Sequence, residues 1–333
     1  MTSPYYLSKE SGGLEPVKAT RPQIPVLILE SLDGTRSIRL DGSAGWIRMP
    51  GSTGLELPPI EVISQAMPGI SGSTLTDVRV LERPVFIPIY ASGNGNYLAF
   101  REMMSSLYAL IVDPLGRRVF RLIGESVKGS RELLVTYVGG LEGADDAMQA
   151  GLSWAKLPLK LVAHSPFAQA RADRVIEFRY HSELQPFLGV VGGTDAPFPR
   201  TLSTSSVIGE NMMINIGSEV PVYPTAELVG KMDSFSATVM PEAVPDEELT
   251  DDDDNWSVSV PNGVPAGSTL RMVTDPRHRS FRLDGAHAAG RIAQGSKLRP
   301  FYPGVNWMNV IAPGSSEDTR VRLMWRELYR SLW

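Results

Sequence analysis

The segment 131–167 constrains the fold more than any other part of the chain, because it has the pattern of two long β-strands joined by a break. All positions from Leu133 to Val138 are apolar, aromatic or β-branched, so we expect the first strand to be covered on both faces. The following segment 139–146 is rich in glycine and aspartate, which favour turns. From Trp154 onward leucines alternate with lysines and a proline, which predicts a second strand with one solvent-exposed face.

The exit from this pair of strands, Ala-His-Ser-Pro-Phe at 163–167, is expected to separate two cores. A chain of 333 residues is long enough for two domains or three. Hydrophobic residues make up 42% and charged residues 21%, which is typical of a globular protein. Glycine (31) and proline (26) are abundant, while long helical patterns are few. This combination favours a mainly β chain with many turns.

Charge and cysteine content exclude several classes of protein. The net charge is −5 and the pI is about 5.5, which gives no sign of a nucleic-acid partner, since such a partner favours a basic domain. The chain contains no cysteine, which excludes disulfides, thiolate metal sites and thiol nucleophiles. The start of the chain lacks the basic and apolar regions of a signal peptide, and no apolar run approaches the roughly 18 residues of a membrane span. We therefore expect neither a signal peptide nor membrane insertion.

The first half of the chain is predicted to form one β-sandwich or open barrel at 25–168, preceded by an extended arm at 1–24. The arm is polar, and two interpretations stay open. It is either a flexible terminus or an arm that packs on a neighbouring subunit. Within the domain, Asp33-Gly34 between two apolar runs predicts a two-residue hairpin turn. Trp46 is expected in a short strand that follows.

A further strand and the only clear helix complete this domain. Apolar alternation predicts a strand at 76–90, and Pro84 and Pro88 in it indicate an edge or bulged position. The segment 97–111 is predicted to be an α-helix that Asn96 caps and that packs on the sheet. Its apolar residues recur at helical spacing: Phe100, Met103, Met104, Leu107 and Ile111.

The second half of the chain, 169–333, reads as strands throughout. Turn signals recur at the spacing found in sandwiches and jelly rolls, so we predict a second β-sandwich. An acidic insertion at 241–255 interrupts it. The closing segment 325–333 is amphipathic and is expected either to prolong a strand or to form a short tail helix.

Few residues of this sequence point to chemistry. No nucleophile elbow, phosphate-binding loop or paired-histidine zinc helix is present. His278 and His287 fall in one hairpin region without an evident third ligand, so we expect no metal site there. The run Asp251-Asp252-Asp253-Asp254 lacks the spaced register of a calcium loop and is interpreted as a solvated insertion. The sequence predicts no catalytic, cofactor-binding or metal-binding residues and no enzyme activity.

The order of elements along the whole chain resembles the distal tail protein (Dit) family of long-tailed siphophages. No single motif carries this resemblance; the order and spacing of several do. In the first half it rests on the strand at 85–88, the helix and the segments Asp113-Pro114-Leu115-Gly116, Tyr137-Val138-Gly139-Gly140, Trp154 and Ala163-His164-Ser165-Pro166-Phe167. In the second half it rests on 211–217 and the turn Pro303-Gly304-Val305-Asn306.

The resemblance implies an N-terminal sandwich that closes a homo-hexameric ring and a galectin-like C-terminal sandwich that faces outward. The ring would join the tail tube protein to the tail hub and adhesion proteins. The protein would then belong to the virion, at the tail tip, and to the host cytoplasm during assembly. A ring needs a heterologous interface, for which the strand at 78–89 and the arm 1–24 are the candidates. The arm and the acidic insertion depart from the shortest family members.

Two other functions stay open from the sequence. The chain could be a carbohydrate-binding adhesin, in which Trp256, Trp307 and Tyr223 stack on a sugar. We favour a core position for these rings, since they fall at alternating strand positions, and the spaced galectin sugar-binding pattern is not visible. The chain could also be a hydrolase on a jelly-roll scaffold, because scattered carboxylates in the second half leave a glycosidase pair open.

Overall fold

The computed structural model describes residues 6–7, 16–17, 25–69, 71–112, 116–127, 129–142, 151–179, 207–242 and 255–333. The chain is mainly β with one α-helix in this described part, as the sequence predicted. It divides into two compact units, the first ending at Pro166 but including Ser331–Trp333, and the second comprising Phe167–Arg330. Most of the arm 1–24 and the acidic residues at 243–254 lie outside the described residues.

The first unit contains eleven strands and a helix in its described part. They are β1 (Tyr6–Leu7), β2 (Pro16–Val17), β3 (Val26–Glu30), β4 (Ser37–Arg39), β5 (Trp46–Arg48), β6 (Ile60–Ala66), β7 (Ser73–Val80), β8 (Arg83–Ser92), α1 (Tyr97–Ile111), β9 (Val119–Ser126), β10 (Gly129–Gly139) and β11 (Trp154–Ala163). The main sheet has the order β4-β3-β9-β10-β11-β8-β5. An antiparallel bridge between Asp41 and Ile47 links its two ends, so the sheet is a nearly closed barrel.

The two long strands predicted from the sequence are β10 and β11, paired antiparallel. The leucines of β11 are buried and its lysines are exposed, which confirms that one face of this strand is exposed to solvent. The prediction that β10 is covered on both faces is wrong for this chain by itself. Leu133 and Val135 are buried, whereas Leu134 is 47% and Val138 59% exposed, because the outer side of the barrel wall has no second layer over these positions.

Helix α1 has the bounds and the cap that the sequence predicted. The Asn96 side chain accepts a hydrogen bond from the Ala99 N–H at 3.2 Å, which satisfies one of the free donors of the first turn. The apolar stripe is buried at Phe100, Met104, Leu107 and Ile111. Leu110 is buried as well, whereas Met103 is only partly buried.

The segment predicted as one strand at 76–90, in an edge or bulged position, is two strands, and its second part is not an edge. β8 lies between β11 and β5. Pro88 lies opposite Pro158 on β11, so neither residue supplies a ladder N–H between these two strands at this position; toward β5 the Pro88 carbonyl accepts the Met49 N–H at 2.8 Å. The other part, β7, pairs with β6, a strand that the sequence analysis missed.

The second unit is a β-sandwich of two antiparallel sheets in its described part. Its elements are β12 (Ala168–Ala170), β13 (Arg174–Arg179), β14 (Val207–Ile216), β15 (Thr225–Val229), β16 (Phe235–Pro241), β17 (Trp256–Val260), β18 (Thr269–Val273), β19 (Ser280–Leu283), β20 (Ala286–His287), a 3-10 helix (Ala289–Arg291), β21 (Gly304–Ile311), β22 (Arg320–Trp325) and β23 (Leu328–Tyr329). One sheet has the order β13-β22-β15-β18-β19-β20 and the other β14-β21-β16-β17. Alternate residues of both sheets form one core, centred on Trp256, Phe301 and Phe235. No helix of the described residues is long and apolar enough to span a membrane.

The last residues of the chain belong to the core of the first unit. Leu332 is fully buried, and its N–H donates to the Leu55 carbonyl at 2.9 Å. Gly124 lets the tail approach, since a Cβ at this position would lie 2.7 Å from Leu332 Cγ. The Arg131 guanidinium donates to the Ser331 carbonyl at 3.0 Å and also to that of Trp333. Of the closing segment 325–333, Leu328–Tyr329 forms the short strand β23, and the residues after it form neither strand nor helix.

We expect Leu332→Ala to destabilise the first unit by about 3 kcal/mol, because it removes a fully buried leucine from a core that can collapse only in part. Chemical denaturation followed by tryptophan fluorescence measures the change. The control is Leu98→Ala on α1, where the leucine is 70% exposed and the loss should stay below about 0.5 kcal/mol. Equal losses in the two variants would show that the tail does not contribute to this core.

Candidate assembly surfaces

The hairpin of β6 and β7 presents an apolar surface that the described residues of the first unit leave uncovered. Every residue of both strands is exposed. The register pairs Ile60 with Val80 and Val62 with Val78. Paired residues point to the same face and alternate residues to opposite faces. One face of the hairpin is therefore mainly apolar and carries Ile60, Val62, Ser64, Ala66, Ser73, Leu75, Val78 and Val80.

The opposite face of the hairpin is polar. It carries the cross-strand pairs Glu61 with Arg79 and Gln65 with Thr74, together with Ile63 and Asp77 at the bulge. The hairpin is thus amphipathic, although neither face meets its own domain. A two-stranded hairpin is marginally stable at best in water unless its apolar face packs on something. We infer that this apolar face packs against another protein surface.

A second apolar patch lies on the outer face of the barrel, where β5, β8 and β11 are neighbours. Tyr90 and Trp154 have ring centroids 6.0 Å apart. Ile47 is paired with Tyr90 and is 43% exposed, and Trp154 is 42% exposed. Aromatic side chains with this exposure are enriched in protein interfaces.

The three rings considered for sugar stacking do not lie on one surface. Trp256 is only 1% exposed and packs edge-to-face on Phe301 at 5.5 Å, as the core interpretation predicted. Tyr223 is partly buried. The core interpretation is wrong for Trp307, which is 38% exposed. Trp307 pairs with Met213 and Met240 on the two neighbouring strands, so one aromatic ring flanked by methionines faces outward.

The residues considered for chemistry do not form a site among the described residues. In the part of the chain that the structure describes, no group of three or more His, Asp or Glu side chains is arranged to hold a metal ion. His278 lies in the turn after β18 and His287 in β20. The acidic run Asp251-Asp252-Asp253-Asp254 lies outside the described residues.

A charged network crosses the outer face of the six-stranded sheet in the second unit. The Glu177 carboxylate accepts hydrogen bonds from Arg322 Nε and from Arg179 Nε, both at 2.5 Å. Arg322 also contacts Glu227 at 3.3 Å. The hydrogen bonds from Arg322 and then Arg179 lower the pKa of Glu177 from its ordinary value of 4.5 to about 2, since they favour the charged carboxylate.

This pKa predicts a stability loss in acid. A carboxyl with a lowered pKa stabilises the folded state above its ordinary value and loses that contribution as the pH falls toward its folded value. The second unit should therefore lose stability between about pH 4.5 and pH 2, and Glu177→Gln should make this decline shallower. Melting temperatures measured across the range test this, with Glu317→Gln, an exposed carboxylate, as control. A decline of unchanged steepness in Glu177→Gln would contradict the assignment.

Comparisons with known proteins show a structural likeness only. No protein-family model and no curated protein matches the sequence. The crystal structure of the Dit protein (gp 19.1) of phage SPP1 is similar with a TM-score of 0.58 at 12% identity, covering 92% of this chain and 100% of that chain. The phage P2 baseplate in its activated conformation with Ca gives a TM-score of 0.48 at 9% identity, covering 92% and 98% of the two chains. Its form with Sr gives 0.44 at 9% identity, covering 90% and 98%.

The likeness to SPP1 Dit runs through both units, because nearly the whole of each chain is matched. It agrees with the barrel, the single helix and the two-sheet sandwich that the described residues form. The chain therefore has the fold of a phage distal tail protein, as its sequence resemblance predicted.

Proposed function

We propose that this chain is a structural component of a phage tail tip, and that its copies form a homo-hexameric ring that joins the tail tube to the tail hub and adhesion proteins. The proposal includes no catalysis and places the protein in the virion, after assembly in the host cytoplasm. The fold supports it, since SPP1 Dit is described as a paradigm of the hub adsorption apparatus in phages that infect Gram-positive bacteria.

The main observation in support of a ring is the uncovered apolar face of the β6–β7 hairpin. A closed ring requires that one surface of each copy docks on a different surface of the next copy. The hairpin supplies a projecting apolar surface, with Val62 57% and Leu75 60% exposed. The patch around Tyr90 and Trp154 supplies a different apolar surface on the same unit. Docking one on the other would remove both from water, which favours association by about 25 cal/mol per Å² of apolar surface.

The native mass of the purified full chain tests the ring. We expect light scattering to give six times the chain mass of 36.4 kDa, and negative-stain images to show closed rings. A single chain at high micromolar concentration would overturn the proposal. An antibody against the chain should label the tail tip in images of intact phage.

One observation favours a carbohydrate-binding adhesin as a second candidate function. Trp307 is exposed, and the outward-facing residues on its own and the neighbouring strands include Asn215, Thr238 and Asn309. An aromatic ring beside amides and hydroxyls suits a neutral sugar. A glycan array with the full chain tests this function. Specific binding that Trp307→Ala abolishes would support it, and an array without specific binding would remove it.

A further inference from the structure

The outer face of the six-stranded sheet carries one row of charged residues that crosses every strand. The register places them side by side: Glu177, Arg322, Glu227, Arg271, Arg282 and His287. Their neighbours along each strand, such as Phe178, Leu323 and Met272, are buried, so this row points outward. Adjacent strands are about 4.8 Å apart, which sets the spacing of the charges.

The two ends of this row differ in how their charges are compensated. Glu177 and Glu227 already contact Arg322, and Arg179 adds a further contact to Glu177. Arg271 has no ion pair with any described residue, and Arg282 only donates to the Gly285 carbonyl at 3.3 Å. Arg320, two residues before Arg322 on β22 and opposite Arg179, also has no ion pair with the described residues. The face is therefore basic, although the chain as a whole carries −5.

A second row runs beside the charged one and is apolar or hydroxylated. It lies two residues along each strand and contains Val175, Met324, Thr225, Val273 and Ser280. Val175 is 53% exposed. Arginine and methionine beside exposed apolar residues are typical of protein interfaces. A guanidinium also binds carboxylates in a bidentate geometry.

We propose that this sheet face is a docking surface for a protein partner that presents an acidic, extended segment. Carboxylates of the segment pair with Arg271 and Arg282, and apolar side chains between them pack on Val273 and Met324. A continuous phosphate polymer fits less well, because it would bring negative charge over Glu177 and Glu227 as well as over the arginines. Acidic side chains on a peptide can instead be spaced to meet only the uncompensated end of the row.

Binding of synthetic peptides to the full chain tests this proposal. The probes are a soluble peptide in which glutamate alternates with leucine, a peptide of equal length in which glutamate alternates with serine, and inorganic polyphosphate. We expect the glutamate–leucine peptide to bind most tightly, with an affinity that falls as salt is raised. The pair Arg271→Gln and Arg282→Gln should weaken it at least about tenfold, because both charge-assisted hydrogen bonds to the carboxylates of the peptide are lost.

The matched control is the pair Arg101→Gln and Arg299→Gln, two exposed arginines off this sheet, which should leave the affinity unchanged. Equal weakening in both pairs, or polyphosphate binding more tightly than the peptides, would overturn the proposal. The test is separate from the ring. The Arg271→Gln and Arg282→Gln variant should keep the native mass of the parent chain, and a variant that cannot form the ring should still bind the peptide.

Discussion

A chain that carries Val62→Lys together with Val78→Glu should be a monomer of 36.4 kDa where the parent chain is a ring. The two positions face each other across the hairpin, so the new charges attract and the hairpin itself is retained. Both side chains lie on the apolar face, where docking would remove them from water. Burying a charged group away from solvent costs several kcal/mol, so we expect association to weaken on the order of a thousandfold or more.

The control for this variant places the same two charges on the other face of the same hairpin. Gln65→Lys together with Thr74→Glu also forms a cross-strand pair, and it should leave the ring intact because that face is polar. Light scattering over a concentration series distinguishes the two variants. If both variants stay assembled, the apolar face of the hairpin is not the subunit contact. If both variants dissociate, the added charges disrupt assembly whichever face of the hairpin carries them.

The hairpin also shows what the sequence could not predict. The segment Leu-Pro-Pro-Ile at 57–60 has the pattern of an extended connector, whereas Ile60 is the first residue of β6, a strand that the pattern did not predict. Alternating residues indicate a strand that is buried on one side, but they do not say which molecule buries it. Pro84 and Pro88 indicated an edge or bulged position, whereas β8 is an internal strand, because proline is excluded only where the ladder needs its N–H.

The sequence patterns predicted those elements whose structure depends on interactions between residues close in sequence. The cap at Asn96 and the bounds of α1 follow from near neighbours in sequence. The charged row of the second unit does not: Glu177, Arg322 and Glu227 are far apart in sequence and meet only because β13, β22 and β15 are adjacent. The burial of Leu332 in the first unit likewise depends on where the chain ends in space, which no periodicity encodes.

The glycines that follow β10 give the sharpest test of the fold, because one of them has no room for a side chain. Gly140 has φ +105, and a Cβ there would lie 1.7 Å from the Pro158 carbonyl oxygen on β11. That oxygen belongs to the backbone of β11, which is paired on both sides in the sheet, so it cannot move aside as a flexible side chain would. The glycine-rich break between the two long strands is thus a close approach of two backbones as well as a turn.

We expect Gly140→Ala to destabilise the first unit by more than about 4 kcal/mol or to leave it unfolded, because left-handed backbone strain adds to a backbone clash. Gly151→Ala separates the two effects. Gly151 also has a left-handed φ, +70, but a Cβ there would meet nothing within 4 Å, so its cost should be the strain alone, about 1 kcal/mol. Denaturation of both variants, read with the circular dichroism of the soluble fraction, gives the comparison. Similar losses at the two glycines would mean that β10 and β11 do not approach as closely as the register between them requires.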